Sequence, residues 1–408
     1  MGAAPAEGPA VPSADAAAGG QAHALAHGAG AVLRGHGLTL RFDGRGEIVS
    51  LLDERAAREL VPRGEALGRF RLFHDVPTRW DAWDLDARVT SQPVAETSTS
   101  ARIDVDAAAP AVTVMRRIGA STVVASYRLS SHSRAIDVGI ELDWREREKA
   151  LKWELPLALH ASEATSEVQF GHVRRSIHRN TSWDAARFET SAQRWVHVGE
   201  PGYGVALANA WTYGAGMRRD VRDAAGDGLA LESSVTIGVT LARAPSFPDP
   251  GADRGVHRFG FLLAPGASID EAIELGYRLQ LPPREVAGVA IAELAPFVAT
   301  GHPGIVVEAV KLAQDDSGDV IVRLYEAHGA RARGRLATAF AWDAVTQTDL
   351  HEVAMPHDGL RPVADAAAGA GARGDGRGAA QGAELRLRPF QIVTLRFSGV
   401  QVGRPEAP

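Results

Sequence analysis

The sequence predicts an all-β chain, a large antiparallel β-sandwich followed by a smaller β-sandwich domain, and three observations carry the prediction. Apolar residues alternate with polar ones at period two, most cleanly at Ile136, Val138, Ile140, Leu142 and Trp144, whose other face is Asp137, Gly139, Glu141 and Asp143. Gly, Pro, Ser and Asp interrupt the chain at short intervals, as hairpin turns require. Long runs of helical periodicity are nearly absent, which argues against alternating β/α units.

In chain order, residues 1–30 are mostly Ala, Gly and Pro, with Val11 their one β-branched residue. They cannot bury a core and read as a disordered leader or linker. They also lack the basic and apolar regions of a signal peptide, so a cytoplasmic location is expected. From Val32 onward Leu38, Leu40 and Phe42 alternate, Asp43-Gly44-Arg45-Gly46 turns, and Ile48 and Leu51-Leu52 resume, which is hairpin grammar. Val235, Ile237, Val239 and Leu241 repeat the alternation. Short helices are predicted at Ala56–Leu60 and at Ile269–Tyr277, the second capped by Ser268 and rich in early acids.

Pro282-Pro283, Pro296 and Gly301-His302-Pro303-Gly304 punctuate a boundary. The large sandwich is therefore expected over 31–283, a linker over 284–303 and the small sandwich over 304–400. In the latter, Ile305–Leu312 and Val320–Tyr325 flank Asp315-Asp316-Ser317-Gly318, a hairpin signature. Residues 364–384 are patternless Ala, Gly, Arg and Asp and read as a mobile loop; Leu385, Leu387 and Ile392–Phe397 supply closing strands.

Composition excludes several functions. The chain has 408 residues, 45% hydrophobic and 23% charged, as for an ordinary globular protein. A net charge of -6 gives no electrostatic footprint for nucleic acid. There is no Cys, which removes disulfides, thiolate catalysis and Cys-ligated metals. No apolar run approaches the ~20 residues of a membrane helix. Three Lys, at 149, 152 and 311, stand against 41 Arg, a skew that looks like codon bias. His172, His178 and His257 lack the spaced companions of a zinc motif, and no P-loop, GxSxG or GxGxxG is present.

Three segments concentrate chemistry. In Phe73–Asp84, Trp80 and Trp83 are each followed by an acid, Asp81 and Asp84. An indole stacks on the C–H face of a sugar while a carboxylate accepts from its hydroxyls; the alternative is two core plugs with turn-making Asp residues. In Gly171–Glu189, His178, Asn180, Trp183 and Asp184 stand among four Arg. They suit sugar recognition, or equally a polar network tying a long loop to a sheet. In the third segment, Arg243 ends an alternating strand before Pro245, Pro248 and Pro250 stiffen the following loop. It is placed for a rigid contact at a rim, or for an ordinary salt bridge. Asp81, Asp84 and Asp184 are the acids a glycosidase pair would draw on, but sequence spacing cannot pair them.

The stretch FGHVRRSIHRNTSWDAARFE, followed by QRWVHVGEPGYGVALAN, resembles the C-terminal region of glycoside hydrolase family 38 α-mannosidases. RWDAWDLD at 79–86, LARAPSFPDPGADRGVHRF at 241–259, VKLAQDDSGDVIVRLYEAHG at 310–329 and LRPFQIVTLRF at 387–397 agree in content and order. The likeness covers residues 33–400. It implies a galactose-mutarotase-like supersandwich followed by a smaller β-sandwich, and retaining cleavage of α-mannosides in glycan catabolism. It implies zinc, or another divalent ion, held by a catalytic barrel and helical bundle that precede the region seen here. On that resemblance the chain carries neither nucleophile nor metal ligand, binds no metal alone, and takes as partners an α-mannoside oligosaccharide and the barrel and bundle. Arg243 carries over as the residue reaching sugar; Trp80, Asp81, Trp83, Asp84, His178, Asn180, Trp183 and Asp184 are further substrate-binding candidates.

Overall fold

The computed structural model describes residues 22–94, 101–131, 133–223, 231–281, 296–356, 360–363 and 382–401. The chain divides into two units, Met1–Glu167 with Arg174–Pro283, and Val168–Val173 with Arg284–Pro408. Among the described residues, nearly all the regular structure in both is antiparallel strand.

Among the described residues the large unit builds on three sheets. An N-terminal meander runs from His23–His27 to Arg58–Glu59 in sequence order. A nine-stranded sheet has Gly255–Pro265 and Ile136–Trp144 at its middle, paired in register from Ile136 opposite Leu263 to Trp144 opposite Gly255. A five-stranded sheet orders Thr190–Ser191, Gly214–Asp223, Leu231–Arg243, Lys149–Leu157 and Arg69–His74. All three bury side chains in one continuous core, because alternate residues of each strand point the same way. Trp153 of the five-stranded sheet lies 4.9 Å, centroid to centroid, from Phe261 of the nine-stranded sheet, and Phe42 of the meander lies 5.2 Å from Tyr127. Trp144, Trp153 and Trp195 are fully buried, each contributing about 4–6 kcal/mol of apolar transfer.

The helix at Ile269–Gln280 forms as its cap predicts. Ser268 accepts the Glu271 amide at 3.3 Å, and the Glu271 carboxylate accepts the Ser268 amide at 2.8 Å. Gly276 lets it approach the nine-stranded sheet, since a Cβ there would lie 2.8 Å from the Arg194 Cβ.

The small unit packs two four-stranded sheets around Val322, Leu324, Leu336, Leu395 and Phe397. Its turns converge on the buried carboxylate of Glu326, which accepts backbone amides of His328, Gly329, Ala330 and Phe390 at 2.8–3.1 Å.

Four sequence expectations need correction. The leader is not patternless to residue 30: His23–His27 pairs with Gly30–Gly35, turning at Gly28 with φ +58° and burying Ala24. Main-chain pairing there needs no large side chain. Residues 1–21 lie outside the described residues. Ala56–Leu60 is no helix. The Asp53 carboxylate accepts the amides of Arg55 and Ala56, Ala57 takes φ +50°, and Arg58–Glu59 folds back onto Leu52 and Asp53. Within the expected linker, Val298–Ala299 is an edge strand on Ala332–Thr338, and 284–295 lie outside the described residues. Of the expected loop 364–384, residues 382–384 already belong to the strand Gly382–Leu387; the rest lie outside the described residues.

Candidate functional site

The strand Lys149–Leu157 is the central clue. Its odd residues Leu151, Trp153, Leu155 and Leu157 face the core, so Lys152 and Glu154 face away from it. Yet Lys152 is only 4% exposed and Glu154 6%. Charges so far from water need partners. Lys152 donates to Glu189 and to the Thr240 hydroxyl at 2.8 Å, while that hydroxyl donates to the other Glu189 oxygen at 2.5 Å. Glu154 accepts from Arg71 on one oxygen and from Arg218 on the other, both at 3.3 Å. Arg218 also bonds Asp220 at 3.1 Å.

A hollow of about 190 Å³ sits on this outer face. Its floor exists because Gly216 pairs with Gly238, which in turn pairs with Glu154. A Cβ on Gly216 would meet the Phe188 carbonyl oxygen at 2.7 Å, so glycine there lets the chain cross above. A Cβ on Gly238 would have nothing nearer than 3.7 Å, so the space over it is open. Thr90 and Phe73 wall one side; Arg179 and Phe188 wall another. Two of the chemistry-rich segments, far apart in sequence, thus meet here.

The third segment reaches the same face through a bulge. Along Leu231–Arg243 the odd residues Val235, Ile237 and Val239 are core residues, and by parity Arg243 would be too. The register slips by one between Leu151 and Lys152, so that Lys152 pairs with Thr240 but Ala150 pairs with Arg243. The slip turns Arg243 outward. Its guanidinium grips the buried Asp75 carboxylate with two bonds, at 2.6 and 3.0 Å, and donates to the Asp81 carbonyl at 3.0 Å. The indole N–H of Trp144 fixes the Arg243 carbonyl from beneath, at 3.0 Å.

That third bond holds the loop carrying both Trp. Trp80 is 65% exposed and Trp83 67%, edge to face with centroids 6.4 Å apart, so neither is a core plug. Trp80 sits at φ +62°, a region bulky residues enter at a cost of about 1–3 kcal/mol. Its carbonyl accepts the amides of Trp83 and Asp84, each at 2.9 Å. Asp81 is half-buried and Asp84 exposed.

In the middle segment the candidates serve the loop itself. Thr181 caps the short helix Ser182–Ala186 by accepting the Asp184 amide at 3.2 Å. Asp184 accepts from Thr181 at 2.6 Å and Ser176 at 3.4 Å and stands 3.5 Å from His178 Nδ1. The Thr181 hydroxyl foremost, with His178, Ser176 and Arg187, holds its carboxyl below the usual range against slight desolvation. His178 Nδ1 accepts the Asn180 amide at 3.4 Å. Trp183 projects into solvent.

None of the nine sequence candidates lines the hollow, although Arg243 shares its sheet face and the segments bearing the others wall it. Sequence reasoning missed Arg71, Lys152, Glu154 and Arg218. A signal was present: Lys152 and Glu154 interrupt the apolar run Ala150–Leu157. A wider groove of about 670 Å³, between Arg58, His160, Glu200 and Ser233, contains none of the candidates. Among the described residues no three His, Asp or Glu stand together as a metal centre needs, so these residues do not fit the zinc of the resembling family.

The family model for the glycosyl hydrolases family 38 C-terminal domain matches residues 33–251, and that for the family 38 C-terminal beta sandwich domain matches 304–395. Human alpha-mannosidase 2C1 is 33% identical over 310 residues, 72% of this chain and 28% of its own length. Alpha-mannosidase G of Dictyostelium discoideum is 26% identical over 376 residues, covering 88% of this chain and 32% of its own. A crystal structure of an alpha-mannosidase from Enterococcus faecalis superposes with a TM-score of 0.65 at 15% identity, over 90% of this chain and 42% of that one, a likeness of fold. The chain spans 28–32% of the length of these curated relatives. With one model covering more than half of it and a second following in order, this chain belongs to glycosyl hydrolase family 38 and corresponds to the C-terminal region of its α-mannosidases.

Proposed function

We propose that this chain is the C-terminal portion of a retaining α-mannosidase acting on α-mannoside oligosaccharides. It supplies carbohydrate contacts and braces the active site, while nucleophile and zinc come from the barrel and bundle of the complete enzyme. The observation that carries this reading is the ordered match of both family 38 C-terminal models. The geometry adds a braced, solvent-facing platform. Trp80 and Trp83 offer ring faces, Asp81 and Asp84 offer carboxylates beside them, and Arg243 positions the loop through Asp81. Trp183 and Asn180 offer a second exposed contact above the helix that His178 and Asp184 hold. Each charged group at the outer face named above, except Arg179, is already engaged in an ion pair, which suits a wall better than an acid–base pair. Purified chain given zinc or cobalt and an aryl α-mannoside is expected to show no turnover, and turnover to return when the barrel and bundle of a family member are supplied. Hydrolysis by the chain alone at an ordinary enzyme rate overturns the reading.

The exposure of Trp80 and Trp83 favours one alternative, a carbohydrate-binding sandwich without catalysis. It requires heat on titration with mannose oligosaccharides that Trp80→Ala or Trp83→Ala abolishes.

A further inference from the structure

We infer that the hollow over Gly238 is a binding site for a small oxyanion, such as phosphate, sulfate or the carboxylate of a sugar acid. Each carboxylate oxygen at the hollow already faces a donor: those of Glu154 accept from Arg71 and Arg218, those of Glu189 from Lys152 and Thr240. The donors are not all engaged. Arg71 uses only Nη1, and its guanidinium lies over the Phe73 ring, 5.4 Å from the centroid. Arg218 spends Nη1 on Glu154 and Nε on Asp220, which leaves Nη2. Arg179 lines the hollow and has no ion-pair partner among the described residues. The opening therefore presents unspent guanidinium N–H groups, while its carboxylate charge is already offset by ion pairs. A neutral sugar needs both donors and acceptors around its hydroxyls; an oxyanion only accepts. Arg, rather than Lys, at three corners also suits bidentate recognition of an oxyanion.

Size agrees with the chemistry. The 190 Å³ hollow holds about six waters at ~30 Å³ each, room for one tetrahedral anion with part of its hydration or for one sugar-acid ring. The space is built in, since it rests on the absence of a side chain at Gly238 beside a Gly216 that must stay bare.

The test is titration calorimetry of the full chain at low ionic strength with inorganic phosphate, sulfate, glucuronate and mannose in separate runs. Saturable binding of one or more of the three anions, without binding of mannose, supports the site. Phosphate and sulfate binding alike points to a free anion; binding of glucuronate alone points to a sugar-linked carboxylate. Arg179→Gln is expected to weaken binding at least tenfold, roughly the loss of one hydrogen bond to a charge. Gly238→Val keeps every charge and fills the floor, so it is expected to abolish binding with the thermal midpoint unchanged. Absence of saturable binding by all three anions, equal binding of mannose, or affinity unaltered in both folded variants overturns the inference. The readout is binding alone, so it stands apart from the hydrolysis that tests the mannosidase reading.

Discussion

Arg243 decides between two roles, sugar contact and brace, and the two predict different losses. Its partner Asp75 has a side chain only 1% exposed, and Arg243 itself is 17% exposed. Replacing Arg243 by Met keeps the stem that packs and removes the fork. Asp75 is then a buried carboxylate without its cation, which costs about 3–5 kcal/mol. The Asp81 carbonyl loses its donor as well, so the strained turn at Trp80 loses the contact that offsets it. Against a typical domain stability of roughly 5–15 kcal/mol, this is about a fifth or more of the total. Urea unfolding followed by circular dichroism gives the energy, and trypsin cleavage after the exposed Arg79 gives the release of the loop. We expect Arg243→Met to cost about 3–5 kcal/mol and to speed that cleavage, and the Arg243→Met/Asp75→Leu double variant to cost less than the sum of its parts. A loss below about 1 kcal/mol with cleavage unchanged would mean a solvent-screened surface pair, and the brace would be refuted.

Two further outcomes follow from the same reasoning. Burial pushes the His197 pKa below its ordinary 6.5, aided by nearby Arg174 and only partly countered by the Ala267 carbonyl and Glu271, with Gly204 packed against its Nε2. Its contribution is therefore complete above the unfolded value and is lost as pH falls through the folded one; the urea midpoint should drop from pH 7.5 to 5.5, and His197→Gln should flatten that slope, an unchanged slope refuting the assignment. Lys152→Met should cost about 3–5 kcal/mol by leaving Glu189 uncompensated, whereas Lys152→Met with Glu189→Leu should lie within about 1–2 kcal/mol of the parent; equal losses in both would refute the pairing.

Much of the fold was legible because its cause is local. The alternation at Ile136–Trp144 and the capping box at Ser268 are periodicity and hydrogen-bond chemistry that a sequence displays directly. What failed had causes in register or turn geometry. Ala56–Leu60 has helix-forming residues, but the Asp53 carboxylate captures the preceding amides and turns the chain instead. Arg243 was found by its place at a strand end, yet its outward direction depends on a one-residue slip that alternation alone gets backwards. The hollow was invisible because its charged members come from three strands and a loop and its shape from two glycines paired across neighbours.

The polar wealth of residues 177–189 has a mechanical cause. Ser182–Ala186 buries none of its five residues, so apolar packing cannot hold it, and a helix that short does not hold itself. Polar bonds must do it: the Thr181 cap, the Asp184 carboxylate accepting from Thr181 and Ser176 with His178 beside it, and the backbone bond from the Arg219 amide to the Ile177 carbonyl. A segment laid over the solvent side of a sheet is anchored by polar chemistry because that side offers little else. The anchoring leaves Phe188 pressed above Gly216 and nothing pressed above Gly238. A wall fixed in this way leaves a vacancy beside it, and the donors left unspent around that vacancy, rather than the abundance of polar residues in the wall, mark where a ligand can sit.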